Sequence, residues 1–346
     1  MKHQTTRYGE IPFYKIGTFG NTADAFISKK LFLEYKTKYS FPKKGDILIS
    51  ASGTIGRAVI YDGKPAYFQD SNIVWIDNDE TLVKNDFLFY AYSHVKWNTE
   101  HTTILRLYND NFRNTLIPLP PLNEQSAIAD ILSGLDRYLH ALDSLILKKE
   151  SVKKALSFEL LSQRKRLKGF NQAWQKVRLG DIANYLTSNL STEQITQQGK
   201  IKVYDVNNFI GYTDTTFISD KPYISIVKDG SVGRVRILPP KTNILSTMGA
   251  LIANHRTTTE FLFYLLSNFD FKNFTSGSII PHIYFKDYKE KTIFLPPLNE
   301  QSAIANILSA LDNEITSLKN KKRQFENIKK ALNHDLMSAK IRVLKK

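Results

Sequence analysis

Two long stretches of the chain carry apolar residues in alternating steps of four and three. In the first they include Ile128, Leu132, Leu135, Leu139, Leu142, Val152, Leu156 and Leu160. In the second they include Ile304, Leu308, Leu311, Ile315, Leu318, Phe325, Ile328, Leu332 and Leu336. Such spacing lays one apolar stripe along one face of a helix, as in a coiled-coil seam. No glycine or proline interrupts residues 135–167 or anything after Leu298. Each stretch is therefore predicted to form a helix of about 40 residues, or about 60 Å at 1.5 Å per residue. Pro120-Pro121 closes off the chain upstream, with Asn123 as N-cap and Glu124 beside it for the helix dipole. Neither helix buries its stripe alone, so each is the natural partner of the other. An antiparallel arrangement returns the second helix to the domain the first one left, which predicts a pseudo-two-fold dumbbell.

The segments around these stripes repeat. LPPLNEQSAIADILSGLD at 119–136 returns as LPPLNEQSAIANILSALD at 295–312, at an offset of 176. Only Asp130/Asn306 and Gly134/Ala310 differ. The offset persists from Lys153-Lys154-Ala155-Leu156 to Lys329-Lys330-Ala331-Leu332. Upstream, the echo is fainter. Phe87-Leu88-Phe89-Tyr90 with Ser93 matches Phe261-Leu262-Phe263-Tyr264 with Ser267, and Ile104 and Tyr108 match Ile280 and Tyr284. Near-identical helices between dissimilar domains are what identical partners for the helices and different targets for the domains would produce. A recombination that copied the helix without functional consequence is the alternative.

Residues 1–118 and 174–294 read as mixed α/β. Short β-rich runs at 46–50, 58–61, 73–76, 202–204, 223–227 and 235–238 alternate with turn signals, and the FLFY segments read as short buried helices. The expected fold is α+β. Two mixed α/β domains, 1–118 and 174–294, are separated by an antiparallel two-helix coiled coil built from 119–168 and 295–346.

Charge sharpens this picture. Lys and Arg outnumber Asp and Glu by 48 to 33, a net charge of +15. A globular chain this basic usually meets a polyanion, since every phosphate it neutralises releases a counterion. With no cysteine, thiolate metal sites, disulfides and cysteine nucleophiles are excluded. Seven scattered histidines show no metal-ligand spacing, and no apolar run is long enough to cross a bilayer. A soluble, cytoplasmic protein with no membrane partner is expected.

Each domain places a Gly-x-x-Gly-Arg turn between two strands: Gly53, Thr54, Gly56 and Arg57 in the first, Gly230, Ser231, Gly233 and Arg234 in the second. Glycines permit close backbone approach, and an adjacent Arg grips a phosphate or reads guanine bidentately. Glycine turns beside an arginine are common in plain hairpins, so the weight rests on their matched occurrence in a basic chain. Polar turn residues join them as candidate DNA contacts: Gln69, Asp70, Ser71 and Asn72 in the first domain, and Ser276, Gly277, Ser278 and His282 in the second. The helix cations (Lys148, Lys149, Lys153, Lys154, Arg164, Lys165, Arg166, Lys319, Lys321, Lys322, Arg323, Lys329 and Lys330) read mostly as solvated flanks of the seam.

A Leu-Pro-Pro-Leu-Asn-Glu-Gln segment opening a helix, present twice between dissimilar domains, resembles the specificity subunits of type I restriction–modification systems. So does Gly-Asp-Ile-Leu-Ile-Ser before Gly53. The resemblance covers nearly the whole chain. It implies that each target recognition domain reads one half of a bipartite, asymmetric double-stranded DNA site, and that the helices fix the unread spacer. The helix-opening residues Pro120, Pro121, Leu122, Glu124 and Gln125, with their copies Pro296, Pro297, Leu298, Glu300 and Gln301, would help dock two methylation subunits. Those subunits carry S-adenosylmethionine and methylate adenine, and restriction subunits join them. This chain would then hold no cofactor, metal or catalytic residue of its own. One departure stands out. Trp174-Gln175-Lys176-Val177-Arg178-Leu179-Gly180-Asp181-Ile182 opens the second domain, whereas Gly9-Glu10-Ile11 and Tyr14 already align with Gly199-Lys200-Ile201 and Tyr204. About 25 residues equivalent to 174–198 have no counterpart, so the first domain is expected to be short at its N-terminus.

Two other classes stay open. A stand-alone DNA-modifying enzyme would need an Asn/Asp-Pro-Pro-aromatic motif and a glycine-rich cofactor loop, and the Pro-Pro pairs here sit in Leu-Pro-Pro-Leu and Leu-Pro-Pro-Lys. A coiled-coil scaffold that does not bind DNA explains the seam but not the charge.

Overall fold

In the computed structural model, which describes residues 4–69, 72–97 and 106–344, the β-rich runs of the first domain form one three-stranded sheet, and a second three-stranded sheet is built from strands that the sequence pattern did not reveal. The domain's elements are β1 (Ile11–Tyr14), β2 (Ala25–Ile27), α1 (Lys29–Lys38), β3 (Ile47–Ser50), β4 (Ala58–Ile60), β5 (Tyr67–Phe68), β6 (Ile73–Trp75), α2 (Asn85–His94), α3 (Asn109–Arg113) and α4 (Leu122–Leu161). The sheets run β2-β1-β5 and β4-β3-β6. Asp70, Ser71 and Ile104 lie outside the described residues. The second domain supplies β7 (Gln175–Arg178), β8 (Ala183–Thr187), β9 (Ile201–Tyr204), β10 (Phe209–Thr213), β11 (Tyr223–Val227), β12 (Val235–Leu238), β13 (Thr242–Ile244) and β14 (Met248–Ala253). After these come α5 (Thr259–Ser267), β15 (Thr275–Ser276), β16 (His282–Ile283), α6 (Phe285–Tyr288), β17 (Thr292–Leu295) and α7 (Leu298–Met337). Its sheets run β12-β11-β14-β8 and β10-β9-β13, with two-stranded pairs β15-β16 and β17-β7. The fold is α+β, and among the described residues no helix is long and apolar enough to cross a membrane.

The chain divides into two compact units, Met1–Asp143 with Asn320–Lys346, and Ser144–Lys319. Both long helices have 40 residues, as the periodicity predicts, and each contributes to both units. Within each unit the helix segments run antiparallel. In the first, Glu124 meets Arg342, Asp136 meets Lys329 and Asp143 meets Lys322. In the second, Lys149 meets Glu314, Lys153 meets Asp312 and Arg166 meets Glu300.

Three expectations about the helices need correcting. Val152 and Ile328 are exposed rather than in the seam. Ile146 is buried instead, and Lys153 and Lys329 follow at the inward positions. A strict count of fours and threes had carried the stripe past a polar layer. Several cations read as solvated are interhelical partners: Lys149, Lys153, Lys319, Lys322 and Lys329 each reach a carboxylate on the facing helix. Finally, Asn123 is not the N-cap. The helix begins at Leu122, and the Asn123 side chain accepts the Glu124 N–H (2.9 Å) from inside the first turn.

The polar layer has the same design in both units. The Tyr90 hydroxyl donates to Asp136 (2.8 Å), whose other oxygen takes the Lys329 ammonium; the Tyr264 hydroxyl donates to Asp312 (2.9 Å), which takes Lys153. Burial, then the carboxylate it faces, pushes each phenol well above its ordinary range. Asp312→Asn keeps the shape but removes the charge. It is expected to cost about 1.5 kcal/mol, the low end for a hydrogen bond to a charged group, because the carboxylate is partly exposed. Urea unfolding of the variant checks this, and an unchanged midpoint would remove the layer from the stability argument.

The cores differ. In the second unit one continuous cluster joins Trp174, Val177, Leu179 and Ile182 to Ile224, Phe261, Leu262, Ile304 and Leu308. In the first, the corresponding ground is split between a cluster of Phe87, Tyr90, Ile128, Leu132 and Leu336 and another of Ile47, Ile49, Leu88 and Tyr92.

Candidate nucleic-acid interface

In the second unit, β11 and β12 are joined by the turn that holds Gly230, Ser231, Gly233 and Arg234. Gly230 (φ +83°) and Gly233 (φ +80°) both adopt left-handed backbone, which side chains rarely tolerate. Gly233 also lies under the Phe271 ring, where a Cβ would come within 2.6 Å; Gly230 faces open space. Beside this turn packs the hairpin of β15 and β16. The Gly230 N–H donates to the Pro281 carbonyl (2.9 Å) and the Ile283 N–H to the Lys228 carbonyl (2.9 Å). His282 Nδ1 bonds Asp229 Oδ1 (2.7 Å), and the Ser276 hydroxyl reaches the His282 carbonyl (3.5 Å).

The structure thus brings together two groups far apart in sequence, the glycine turn and Ser276, Ser278 and His282. Ser231, Arg234, Ser276 and Ser278 are exposed. Ile279 at the hairpin tip is 92% exposed, and Tyr284 is exposed beside His282 with its ring stacked on the imidazole. A guanidinium, hydroxyls and apolar groups displayed on a turn held at both ends suit contact with phosphates, base edges and thymine methyls.

The first unit repeats the turn with a different surround. Gly53 (φ +65°) and Gly56 (φ +84°) are left-handed, and Gly56 lies against the Trp97 indole as Gly233 lies against Phe271. Gly53 and Thr54 are exposed. Three other candidates are tied to their own domain. Arg57 Nη1 donates to the Phe19 carbonyl (2.9 Å), Gln69 Oε1 accepts the Ile16 N–H (3.2 Å), and Asn72 Oδ1 accepts the Ser52 hydroxyl (2.7 Å). No partner is seen for the Arg234 guanidinium among the described residues. A bridge between Ser52 and Arg106 occupies the place of the bridge between Asp229 and His282. Arg106, exposed at the edge of the turn, was missed by the sequence reading. The offset of 176 that pairs it with His282 was the available signal.

Four of the helix-opening residues, Glu124, Gln125, Glu300 and Gln301, anchor the helices through their side chains. Gln301 Nε2 donates to the Pro296 and Arg256 carbonyls, while its Oε1 accepts the Thr257 hydroxyl and the Thr258 N–H (2.8–3.1 Å). Gln125 does the same with Pro120, Leu82 and Lys84. Glu300, fully buried, accepts from both the Arg166 guanidinium and the Trp174 indole N–H. Glu124 pairs with Arg342, whose hydrogen bonds hold its carboxyl below the usual range. Of the motif, Pro121, Leu122 and Leu298 are exposed, Pro120 and Pro297 half-buried, and Pro296 buried.

The sequence model of the type I restriction modification DNA specificity domain matches residues 1–149 and 171–327. A putative type I restriction enzyme specificity subunit of Haemophilus influenzae is 63% identical over 137 residues, which is 39% of this chain and 36% of that protein. This chain therefore aligns with little more than a third of that relative. The putative type I restriction enzyme MjaX specificity subunit of Methanocaldococcus jannaschii is 30% identical over 335 residues, 86% of this chain and 79% of that one. The crystal structure of a type I restriction–modification system S subunit from M. genitalium shares the fold, with a TM-score of 0.65 at 20% identity over 97% of this chain and 91% of that chain.

Proposed function

Because the chain belongs to the type I restriction–modification DNA specificity family, we propose that it reads a bipartite, asymmetric double-stranded DNA target, one half by each α+β unit. On this reading it catalyses nothing itself. It docks two methylation subunits that carry S-adenosylmethionine and act on adenine, and restriction subunits join through them in the cytoplasm. One observation carries the proposal: matched glycine turns sit on domains with different surrounds, while the adjoining helices are near-identical. Different surrounds suit different half-sites, and one repeated helix suits two copies of one partner. Since the buried Glu-Gln pairs anchor the helix starts, the docking surface falls to outward residues such as Leu122, Ile131, Leu298 and their neighbours, which are exposed.

A salt titration tests the reading. The affinity of the purified chain with its methylation subunits for target DNA is expected to fall linearly on a plot of log affinity against log salt. No binding at low salt would favour a scaffold instead. Within the site, Arg234→Ala is expected to weaken binding by about 1–3 kcal/mol if the guanidinium reads a base. Arg57→Ala is expected to act partly through the fold, because the Phe19 carbonyl loses its donor. Gel-shift titrations paired with thermal melts separate these effects, and an Arg234→Ala protein that binds normally would return the turn to a structural role.

A further inference from the structure

In both units the glycine turn holds one residue from a distant segment, and the two held residues have opposite chemistry. Arg106 bridges to Ser52 in the first unit, and His282 bridges to Asp229 in the second. The glycine that follows each bridge, Gly53 or Gly230, has nothing within 4 Å of where a Cβ would sit. A ligand can therefore come close to the backbone at that point in either unit. The second glycine of each turn is closed off instead, by the Trp97 indole or the Phe271 ring.

What each held residue can do follows from its partner. The Asp229 carboxylate has only acceptors to offer, so its 2.7 Å contact with His282 Nδ1 places the ring hydrogen on Nδ1. The neutral ring then keeps a lone pair at Nε2. No bond to Nε2 is seen among the described residues, and the side chain is 35% exposed. Stacking on Tyr284, with 17° between the ring planes, holds the imidazole a second time. Arg106 is the reverse case. Its exposed guanidinium carries donors only, and Ser52 turns its hydroxyl to Asn72 (2.7 Å) and supplies no carboxylate.

We propose that the residue bridged to the glycine turn sets the base choice at one position of each half-site, with opposite hydrogen-bond polarity in the two units. His282 Nε2 accepts from the exocyclic amino group of adenine or cytosine, whereas Arg106 donates to O6 and N7 of guanine. Asp229 touches no base; it is a positioning residue that fixes the tautomer of His282. The inference rests on the DNA reading proposed above and deepens it, because it gives a matched pair of positions a definite sense.

The test uses the full chain with its methylation subunits, and duplexes in which each base pair of the target mapped by methyladenine is replaced in turn. Binding is measured at about pH 8, above the ordinary range of an imidazole. At one position, the unaltered complex is expected to prefer adenine or cytosine over guanine and thymine by roughly tenfold. The four duplexes for that position separate adenine from cytosine. His282→Arg is expected to move the preference there to guanine. Asp229→Asn is expected to move it to guanine or thymine, since the amide can donate to Nδ1 and send the ring hydrogen to Nε2. In the other half-site, Arg106→Gln is expected to turn a guanine preference into one for adenine. A switch at a single position separates base reading from a structural tie, because a loosened hairpin would weaken preference throughout the half-site. Variants that keep the original preference at every position, or lose it evenly across the half-site, overturn the assignment while leaving the DNA reader intact. A complex with no affinity for any duplex overturns the DNA reader, and the assignment with it.

Discussion

Arg166→Ala is expected to destabilise the second unit by about 3–5 kcal/mol, the cost of leaving a buried carboxylate without its cation. Glu300 has no solvent exposure, and Arg166 reaches it with two nitrogens, at 3.2 and 2.6 Å. With the guanidinium gone, the Trp174 indole N–H remains as a single neutral donor to a full charge. The damage lies in the stranded charge rather than in the lost attraction, so removing both partners is expected to be far milder. Arg166→Met with Glu300→Leu is expected to recover most of the loss. Urea midpoints for the two single variants and the double variant form the cycle, and a loss below about 1 kcal/mol for Arg166→Ala would show that water reaches the carboxylate. The matching change in the first unit, Arg342→Ala, is expected to do less, because that arginine is half exposed.

If each unit reads one half-site as proposed, exchanging residues 174–294 for the corresponding domain of another family member is expected to replace one half of the DNA target and leave the other intact. The glycine turn and its neighbouring hairpin are held by bonds within the second unit, from Gly230 to Pro281 and from His282 to Asp229. The incoming domain meets the same helix start, since Gln301 and Glu300 have Gln125 and Glu124 as their copies. Mapping methyladenine in cells that express the chimaera with its methylation subunits gives the result directly. A target altered in both halves, or in neither, would refute the assignment of one reader to each unit.

The helices were legible because their constraints are local. A period of three and four, two prolines before the first turn and a near-identical repeat locate them to within a few residues. What the pattern missed was the polar layer. Lys153 and Lys329 read as surface residues, and only the aspartates and tyrosines brought in from distant segments show why they face inward. The β-runs were visible for a similar local reason, but their neighbours were not. Nothing near Asp229 in sequence points to His282, 53 residues away, and the carbonyl that holds Arg57 belongs to Phe19, 38 residues upstream. Candidate contacts in turns were therefore recognised as groups, whereas the sorting of Gln69 and Asn72 into domain-bound side chains and of Arg234 into an exposed one required tertiary structure.

The two aspartate–lysine pairs also decide what the helices do when pushed along each other. A slide of one heptad in one direction would set Lys153 opposite Ala305 and Lys329 opposite Ala129, both buried positions where an ammonium would shed its water without a carboxylate in exchange. In the other direction Lys153 would confront Lys319, like charge against like, even though Lys329 would exchange Asp136 for Asp143. An all-leucine interface could creep by whole heptads at little cost. This one is detented: mechanical load or thermal agitation meets a step on either side, and misregistered states stay thinly populated until the helices separate outright.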